Sequence, residues 1–169
     1  NRRSESNYKS KKNVIDLEFI IKSYGADSVR LFILSDSPPE KDVQWSDQGM
    51  ISSFKFVQKF WLLHNKIKNN PQNIKDKEND IKISKFTNQT INKINQSLER
   101  FSYNTIIASL YEIYNFFNKI TEHKLDHNNL INNYEKILKV MMPITPHLAS
   151  ECLTEINKNH DYKWPKIEE

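Results

Sequence analysis

Glycine is almost absent from this sequence: only Gly25 and Gly49 occur in 169 residues, together with six prolines. Glycine and proline are the residues that most often interrupt regular backbone structure, so their scarcity predicts long, unbroken elements. Apolar residues recur at three- and four-residue steps over several long segments, and no segment alternates with a two-residue period for long enough to indicate a strand. The pattern therefore favours a protein built from helices.

Two short helices are predicted near the start of the chain, over 17–24 and roughly 26–35. Asp16 is a good N-cap for the first helix, and Gly25 is a suitable stop. The second helix is apolar on almost every side, which is typical of a buried helix. Ser37, followed by two prolines, ends it, because a residue before proline is pushed out of the helical region.

Five further helices are predicted, three of them over about 46–68, 82–100 and 104–121. Leu130 to Met141 mark the fourth, and the fifth covers 146–156. The polar segment 69–80 is predicted to be a surface connection. We expect an all-α protein: an antiparallel bundle of four to five helices, preceded by a short helical segment and a basic loop.

Composition excludes several classes of protein. The single cysteine, Cys152, cannot form an internal disulfide, so a secreted disulfide scaffold is excluded and an intracellular, reducing setting is indicated. Cys152 itself is expected to be a small core residue. No apolar run approaches the ~18 residues of a membrane span. The net charge of +4 would suit a polyanionic partner without establishing one.

No converging set of catalytic or metal-binding side chains is evident, and the five histidines are scattered. His123 and His127 have the four-residue spacing of a metal-binding pair on a helix. However, Asp126 is a better helix start than an interior residue, which would put His123 in the preceding loop. We therefore expect no metal site here.

Two features bear on nucleic-acid binding. Aromatic residues at helical spacing, over 54–61 and 111–117, are interpreted as core residues rather than base-stacking residues, because they coincide with the aliphatic stripe. The basic start of the chain, from Arg2 to Lys12, has no apolar stripe to explain it. Phosphate contact and simple solvation both remain open for that segment.

Several segments, taken in order, resemble leucyl-tRNA synthetase. They are KSKKNVID (9–16), YGADSVRLF (24–32), SPPEKD (37–42) followed by WS (45–46), FSYNT (101–105), MPITPHLA (142–149) and WPK (164–166). The resemblance covers nearly the whole chain and corresponds to the stretch from the KMSKS signature loop into the anticodon-binding bundle. Class I synthetases for valine, isoleucine and methionine share the YGAD and PH motifs and are an alternative, although SPPEKD followed by WS favours the leucine enzyme.

The resemblance implies two parts: residues 1–36, a KMSKS-like loop and connecting helices at the tail of a catalytic domain, and residues 37–169, an anticodon-binding-type bundle. The family's nucleotide-binding fold, HIGH motif and editing domain would precede Asn1. We therefore expect a piece of a longer, cytoplasmic and monomeric leucine–tRNA ligase. That enzyme would use ATP as a substrate to ligate leucine to tRNA through a leucyl-adenylate, and this piece would be inactive alone and hold no cofactor. A stand-alone helical module that binds a protein partner is the other alternative.

The signature loop departs from the family pattern. In the register set by Lys9 and Ser10, the KMSKS positions fall on SNYKS (6–10), so only the last two match. The resemblance implies that Lys9 stabilises charge on the leaving pyrophosphate when leucine attacks ATP, with Ser10, Lys11 and Lys12 in the same ATP loop. Either the longer enzyme works with this loop, or residues 1–8 are partly foreign to the natural protein, or activation is impaired. We favour the second interpretation.

For the bundle, the resemblance implies contact with the tRNA backbone. The predicted phosphate partners are the cations on exposed helix faces, namely Lys55, Lys59, Lys66, Lys93 and Arg100. Taken one at a time, each is better explained as an ordinary solvated side chain. We expect several to act together, in which case raising the salt concentration should weaken tRNA binding.

Overall fold

Helices account for all the regular structure that is described. The structure is a computed structural model and describes residues 15–36, 43–70 and 74–167. The helices are α1 (Leu17–Tyr24), α2 (Ala26–Asp36), α3 (Asp47–Lys68), α4 (Lys77–Glu99), α5 (Tyr103–Ile120), α6 (His127–Met141) and α7 (Pro146–Ile156). No strand occurs within these ranges. The all-α prediction is confirmed.

Four helices begin at a side chain that accepts hydrogen bonds from amides of the first turn. Asp16, Asp76 and Asp126 each accept from two backbone N–H groups, at 2.9–3.3 Å, and start α1, α4 and α6. Ser46 starts α3 by accepting from Gly49 N at 3.1 Å. Helix α4 begins at Lys77 rather than near residue 82, because the cap at Asp76 lies before a polar first turn that carries no apolar signal.

From α3 to α7, consecutive helices run in alternating directions, as an antiparallel bundle requires. Helix α5 packs against both α3 and α4, α6 packs against both α4 and α7, and α7 packs against α3 and closes the bundle. Helices α3 and α5 run side by side in the same direction, since Phe56 contacts Tyr111 and Lys66 contacts Asn118. The long connection 69–76 thus links two helices, α3 and α4, on either side of α5.

The main core of the bundle is strongly aromatic. Phe60, Phe117 and Tyr134 are fully buried, and the ring of Tyr134 lies 6.4 Å from that of Phe60 and 5.5 Å from that of Phe117. Their burial agrees with the prediction that the helical aromatic stripes pack in the core. Tyr111 is a partial exception: its ring packs on Phe56 with centroids 4.6 Å apart, yet 44% of the residue is exposed.

Helices α1 and α2 form a corner that packs on the bundle through a second, smaller core. Gly25 joins them with φ of 81°, a left-handed conformation that glycine adopts without strain. Gly49 of α3 lies against α2, where an added Cβ would be 2.8 Å from the ring of Phe32. Both glycines of the sequence therefore serve this corner, one in its turn and one in its close packing.

Helix α2 is buried on most of its sides, as its apolar pattern indicates, and is exposed along one face. Val29, Leu31 and Phe32 are buried, whereas Ile33 is exposed because α1, α3, α5 and α7 cover the other sides of the helix. The predicted helix end at Ser37 lies outside the described residues. The predicted division between 1–36 and 37–169 also stays a prediction.

Candidate nucleic-acid interface

One face of α3 carries a row of three exposed lysines, Lys55, Lys59 and Lys66. Intervals of four and seven residues place side chains on the same side of a helix, so the row runs for about 16 Å along the α3 axis. The opposite side of α3 is buried in the core through Phe56, Phe60, Leu63 and Ile67. The packing of α3 therefore fixes the direction in which the lysines point.

The three lysines of this row differ in whether their ammonium groups already contact an acceptor within the protein. Lys66 donates to the backbone oxygen of Asn118 at 3.0 Å and lies 3.9 Å from a carboxylate oxygen of Glu122. Within the described ranges, neither Lys55 nor Lys59 has a hydrogen-bond or ion-pair partner. These two ammonium groups are thus the ones on α3 that can take an external anion without breaking an internal contact.

The other two predicted phosphate partners belong to α4, with α5 between them and α3. Lys93 is paired with Glu112 of α5, and its ammonium nitrogen lies 2.9 Å from both carboxylate oxygens. Arg100 is exposed at the C-cap of α4 and has no side-chain partner in the part of the chain that the structure describes. The structure therefore brings Lys55, Lys59 and Lys66 together and leaves Lys93 and Arg100 apart from them.

The four residues predicted for the ATP loop, Lys9, Ser10, Lys11 and Lys12, lie outside the described residues. The description begins at Ile15, one residue before the N-cap of α1. Their roles stay predictions from the resemblance.

Sequence reasoning missed a contact between α2 and the connection from α6 to α7. Asp27 is buried, and its carboxylate accepts from the backbone N–H of Leu148 at 2.6 Å, from that of His147 at 3.4 Å and from His147 Nδ1 at 2.9 Å. Arg30, one turn further along α2, donates to the backbone oxygens of Pro143 at 2.6 Å and Ile144 at 3.0 Å. We call these contacts the α2 clamp.

The α2 clamp joins two of the segments that carry the resemblance. Asp27 and Arg30 belong to YGADSVRLF, and their partners belong to MPITPHLA. The only sequence feature that could have indicated this contact is an acid and a base three residues apart on a mostly apolar helix. Asp27 lies at the N-terminal end of α7, where backbone N–H groups point outward, and Arg30 lies at backbone carbonyls that follow α6. The negative side chain thus meets hydrogen-bond donors and the positive one meets acceptors.

A second polar cluster missed by sequence reasoning surrounds His64, which is completely buried. His64 Nδ1 lies 3.2 Å from the hydroxyl oxygen of Tyr134, and Nε2 lies 2.9 Å from a carboxylate oxygen of Glu155. Glu155 also pairs with Lys68, and these contacts, Lys68 first and His64 second, lower its pKa. Burial raises the pKa of the nearby Cys152 thiol to about 12. This cluster ties α3, α6 and α7 together.

The His64 cluster makes the fold sensitive to acid. Burial lowers the pKa of His64 from its ordinary 6.5, although Glu155 opposes the shift. The unfolded chain then binds a proton more readily than the folded one. The contribution of neutral His64 to the free energy of unfolding is therefore complete above pH 6.5 and is lost as pH falls through the lowered pKa.

We expect the free energy of unfolding, measured with urea, to fall between pH 7.5 and 5.5, and to fall less in His64→Gln. The exposed His123→Gln control should keep the full dependence, and an equal dependence in all three proteins would contradict this assignment.

Among the described residues, the remaining ionisable groups do not assemble a metal centre. In the part of the chain that the structure describes, no group of three or more His, Cys, Asp or Glu side chains is placed to hold a metal ion. His127 begins α6 behind the Asp126 cap, and His123 lies in the preceding turn, as predicted. Of the helices described, none is both long and apolar enough to cross a membrane.

Comparison with known proteins agrees with the interpretation of the sequence motifs. Residues 80–169, more than half of the chain, match the family described as the anticodon-binding domain of tRNA ligase. The chain is 36% identical to the leucine–tRNA ligase of Orientia tsutsugamushi (strain Boryong) over 165 residues, which cover 95% of this chain and 19% of that relative. It is also 36% identical to the leucine–tRNA ligase of Bartonella tribocorum over 169 residues, covering 93% and 19% of the two chains. The chain thus spans about a fifth of the length of these relatives.

The fold recurs in a solved structure. The agnB2 LeuRS of Agrobacterium radiobacter K84, crystallised as a ternary complex with tRNA and LeuAMS, superposes with a TM-score of 0.80 at 21% identity, over 95% of this chain and 22% of that one. At this identity the likeness concerns the fold. The family match and the leucine–tRNA ligases among the relatives confirm the predicted resemblance to leucyl-tRNA synthetase, and the chain belongs to the family of anticodon-binding domains of tRNA ligases.

Proposed function

We propose that this chain binds leucine-type tRNA and that its bundle contacts the tRNA backbone through the exposed face of α3. The observation that carries the proposal is the row of Lys55, Lys59 and Lys66, in which the first two have no partner among the described residues. Membership of an anticodon-binding family supports it, as do the leucine–tRNA ligases among the relatives and the tRNA in the ternary complex of similar fold.

We rank the predicted phosphate partners by the contacts that each side chain already makes. A lysine that already pairs with a carboxylate must lose that partner, or share it, before it can neutralise a phosphate. Lys55 and Lys59 should therefore contribute most and Lys66 less, while Lys93, which contacts both oxygens of Glu112, should contribute least. Each phosphate contact made by a cation releases counterions from the RNA, so its loss reduces the salt dependence of binding.

The double substitution Lys55→Glu and Lys59→Glu is expected to weaken tRNA binding about tenfold or more and to reduce the slope of log Kd against log salt by about 2. Fluorescence anisotropy with an end-labelled leucine-type tRNA transcript, from 50 to 200 mM KCl, measures both quantities. The control Lys75→Glu and Lys85→Glu makes the same change in net charge at two other exposed lysines and should bind like the wild type. If both double variants lost the same tRNA affinity, net charge alone would explain the effect, and a specific role for α3 would be contradicted.

Competition with unlabelled tRNAs tests the substrate class. A leucine-type tRNA should displace the probe at a lower concentration than valine-, isoleucine- or methionine-type tRNAs. Preference for one of the others would reassign the chain to the corresponding class I enzyme. Absence of any tRNA binding would favour a helical module with a protein partner.

We further infer that the longer protein is a cytoplasmic, monomeric leucine–tRNA ligase that uses ATP and leucine. In that enzyme Lys9 would contact the pyrophosphate of ATP within a loop that includes Ser10, Lys11 and Lys12. The family match lies in the anticodon-binding part, so the 169-residue chain alone is expected to be inactive. Leucine-dependent ATP–pyrophosphate exchange above background by this chain would contradict that expectation.

A further inference from the structure

Phe101 occupies a backbone position that usually belongs to glycine. Its φ is 53°, the only positive value for a non-glycine residue in the described part of the chain. Helix α4 ends there in a Schellman motif: Ser102 N donates to Ser97 O at 2.8 Å and Phe101 N donates to Leu98 O at 3.1 Å. In this motif the residue after the C-cap adopts a left-handed conformation, which disfavours side chains with a Cβ.

The side chain of Phe101 gains little burial in return for this strain. The residue is 62% exposed, and its described ring contact is an edge contact with Tyr103, whose centroid lies 6.4 Å away. Glycine would adopt the same backbone conformation without strain and would remove an apolar ring from water. The stability of the fold therefore does not explain a phenylalanine at this position.

The surroundings of Phe101 suit a nucleobase. Arg100 precedes it in the chain, is exposed, and has no side-chain partner in the described ranges, so its guanidinium is available to an external anion close to this turn. The edge contact with Tyr103 restricts the orientation of the ring while leaving much of its surface open. An exposed aromatic side chain combined with a nearby cation is the combination on which unpaired bases stack in RNA complexes.

We propose that the ring of Phe101 stacks on one unpaired nucleobase of the bound tRNA while Arg100 contacts an adjacent phosphate. This inference rests on the proposed tRNA-binding function and extends it from backbone contacts on α3 to a base contact at the corner between α4 and α5. It also gives Arg100, which lies apart from the α3 lysines, a separate role.

Three substitutions of Phe101 distinguish stacking of its ring on a base from a general apolar contact and from an effect on the stability of the fold. Phe101→Leu keeps an apolar side chain without a π-face, Phe101→Trp keeps an aromatic ring, and Phe101→Gly relieves the backbone. With the end-labelled leucine-type tRNA transcript, Kd is expected to rise roughly tenfold in the Leu and Gly variants and to stay within threefold of the wild type in the Trp variant. The Tm of Phe101→Gly should equal or exceed that of the wild type by up to about 4 °C.

The outcomes distinguish this inference from the function on which it rests. Wild-type affinity in Phe101→Leu would overturn the base contact and leave a protein partner as the occupant, while the salt dependence and the α3 variants would still uphold tRNA binding. A Tm of Phe101→Gly several degrees below the wild type would show that the ring is structural and would also overturn it. If the wild-type chain does not bind tRNA, both proposals fail. Ile74→Ala, which trims an exposed apolar residue before α4, is the control and should change neither Kd nor Tm.

Discussion

Replacing Asp27 with alanine is expected to lower the free energy of unfolding by about 3 kcal/mol. The N-cap residue of α7, Thr145, makes no side-chain capping hydrogen bond, and Pro146 has no N–H to satisfy. The first free amides of α7 are those of His147 and Leu148, and both donate to the Asp27 carboxylate. Alanine would leave these donors unpaired and remove a negative charge from the positive end of the helix.

Urea unfolding followed by circular dichroism measures this effect. Asp27→Asn is the matched variant: it keeps the shape and one acceptor oxygen but loses the charge, so an intermediate loss of about 1.5 kcal/mol is expected. A loss below 1 kcal/mol in the alanine variant would show that Asp27 is not the cap of α7. Hydrogen exchange at the start of α7 should accelerate in the alanine variant more than exchange in the middle of α5.

Replacing Tyr134 with alanine is expected to cost about 4 kcal/mol, the largest effect of any single substitution considered for this chain. Tyr134 is fully buried, and its ring contacts those of Phe60, His64 and Phe117, so truncation removes the centre of the aromatic core. A domain of ordinary stability has only about 5–15 kcal/mol in total. The variant should therefore be partly unfolded at 37 °C.

Tyr134→Phe tests the polar part of the same side chain. It keeps the ring and removes the hydroxyl that lies 3.2 Å from His64 Nδ1, so the imidazole nitrogen loses its partner in a buried setting. We expect a loss of about 1.5 kcal/mol by urea unfolding. If phenylalanine and alanine destabilised the chain equally, the hydroxyl rather than the packing of the ring would be the dominant contribution.

Local pattern was enough to predict the helices and most of the core. The caps at Asp16 and Ser46 and the apolar stripe of α5 act between neighbours in sequence, and those signals can be read without tertiary information. The start of α4 was predicted too late in the sequence. Its first turn after the Asp76 cap is polar, so the apolar pattern used for the prediction begins only further along the helix. The lysines of α3 were also predictable as a row, since their spacing matches the helical period.

Contacts between distant segments were not predictable from periodicity. Asp27 lies in the first turn of its own helix, which is a common place for an acid, and nothing nearby in the sequence indicates that it caps α7. His64 lies on the buried side of α3, where the sequence offered no partner until α6 and α7 were folded against it. Phe101 follows a helix without any glycine to signal the left-handed turn that it adopts.

The α2 clamp has a consequence for the order in which the chain can fold. Asp27 and Leu148 are 121 residues apart, and Arg30 and Pro143 are 113 apart. During synthesis from the N-terminus, α2 leaves the ribosome long before the two backbone segments that it binds. Contacts of such high sequence separation form late, because the intervening loop must be closed first. The α1–α2 corner therefore gains the backbone partners of Asp27 and Arg30 only when the start of α7 is made, and a chain that ended before α7 would leave the buried Asp27 carboxylate without its amide donors.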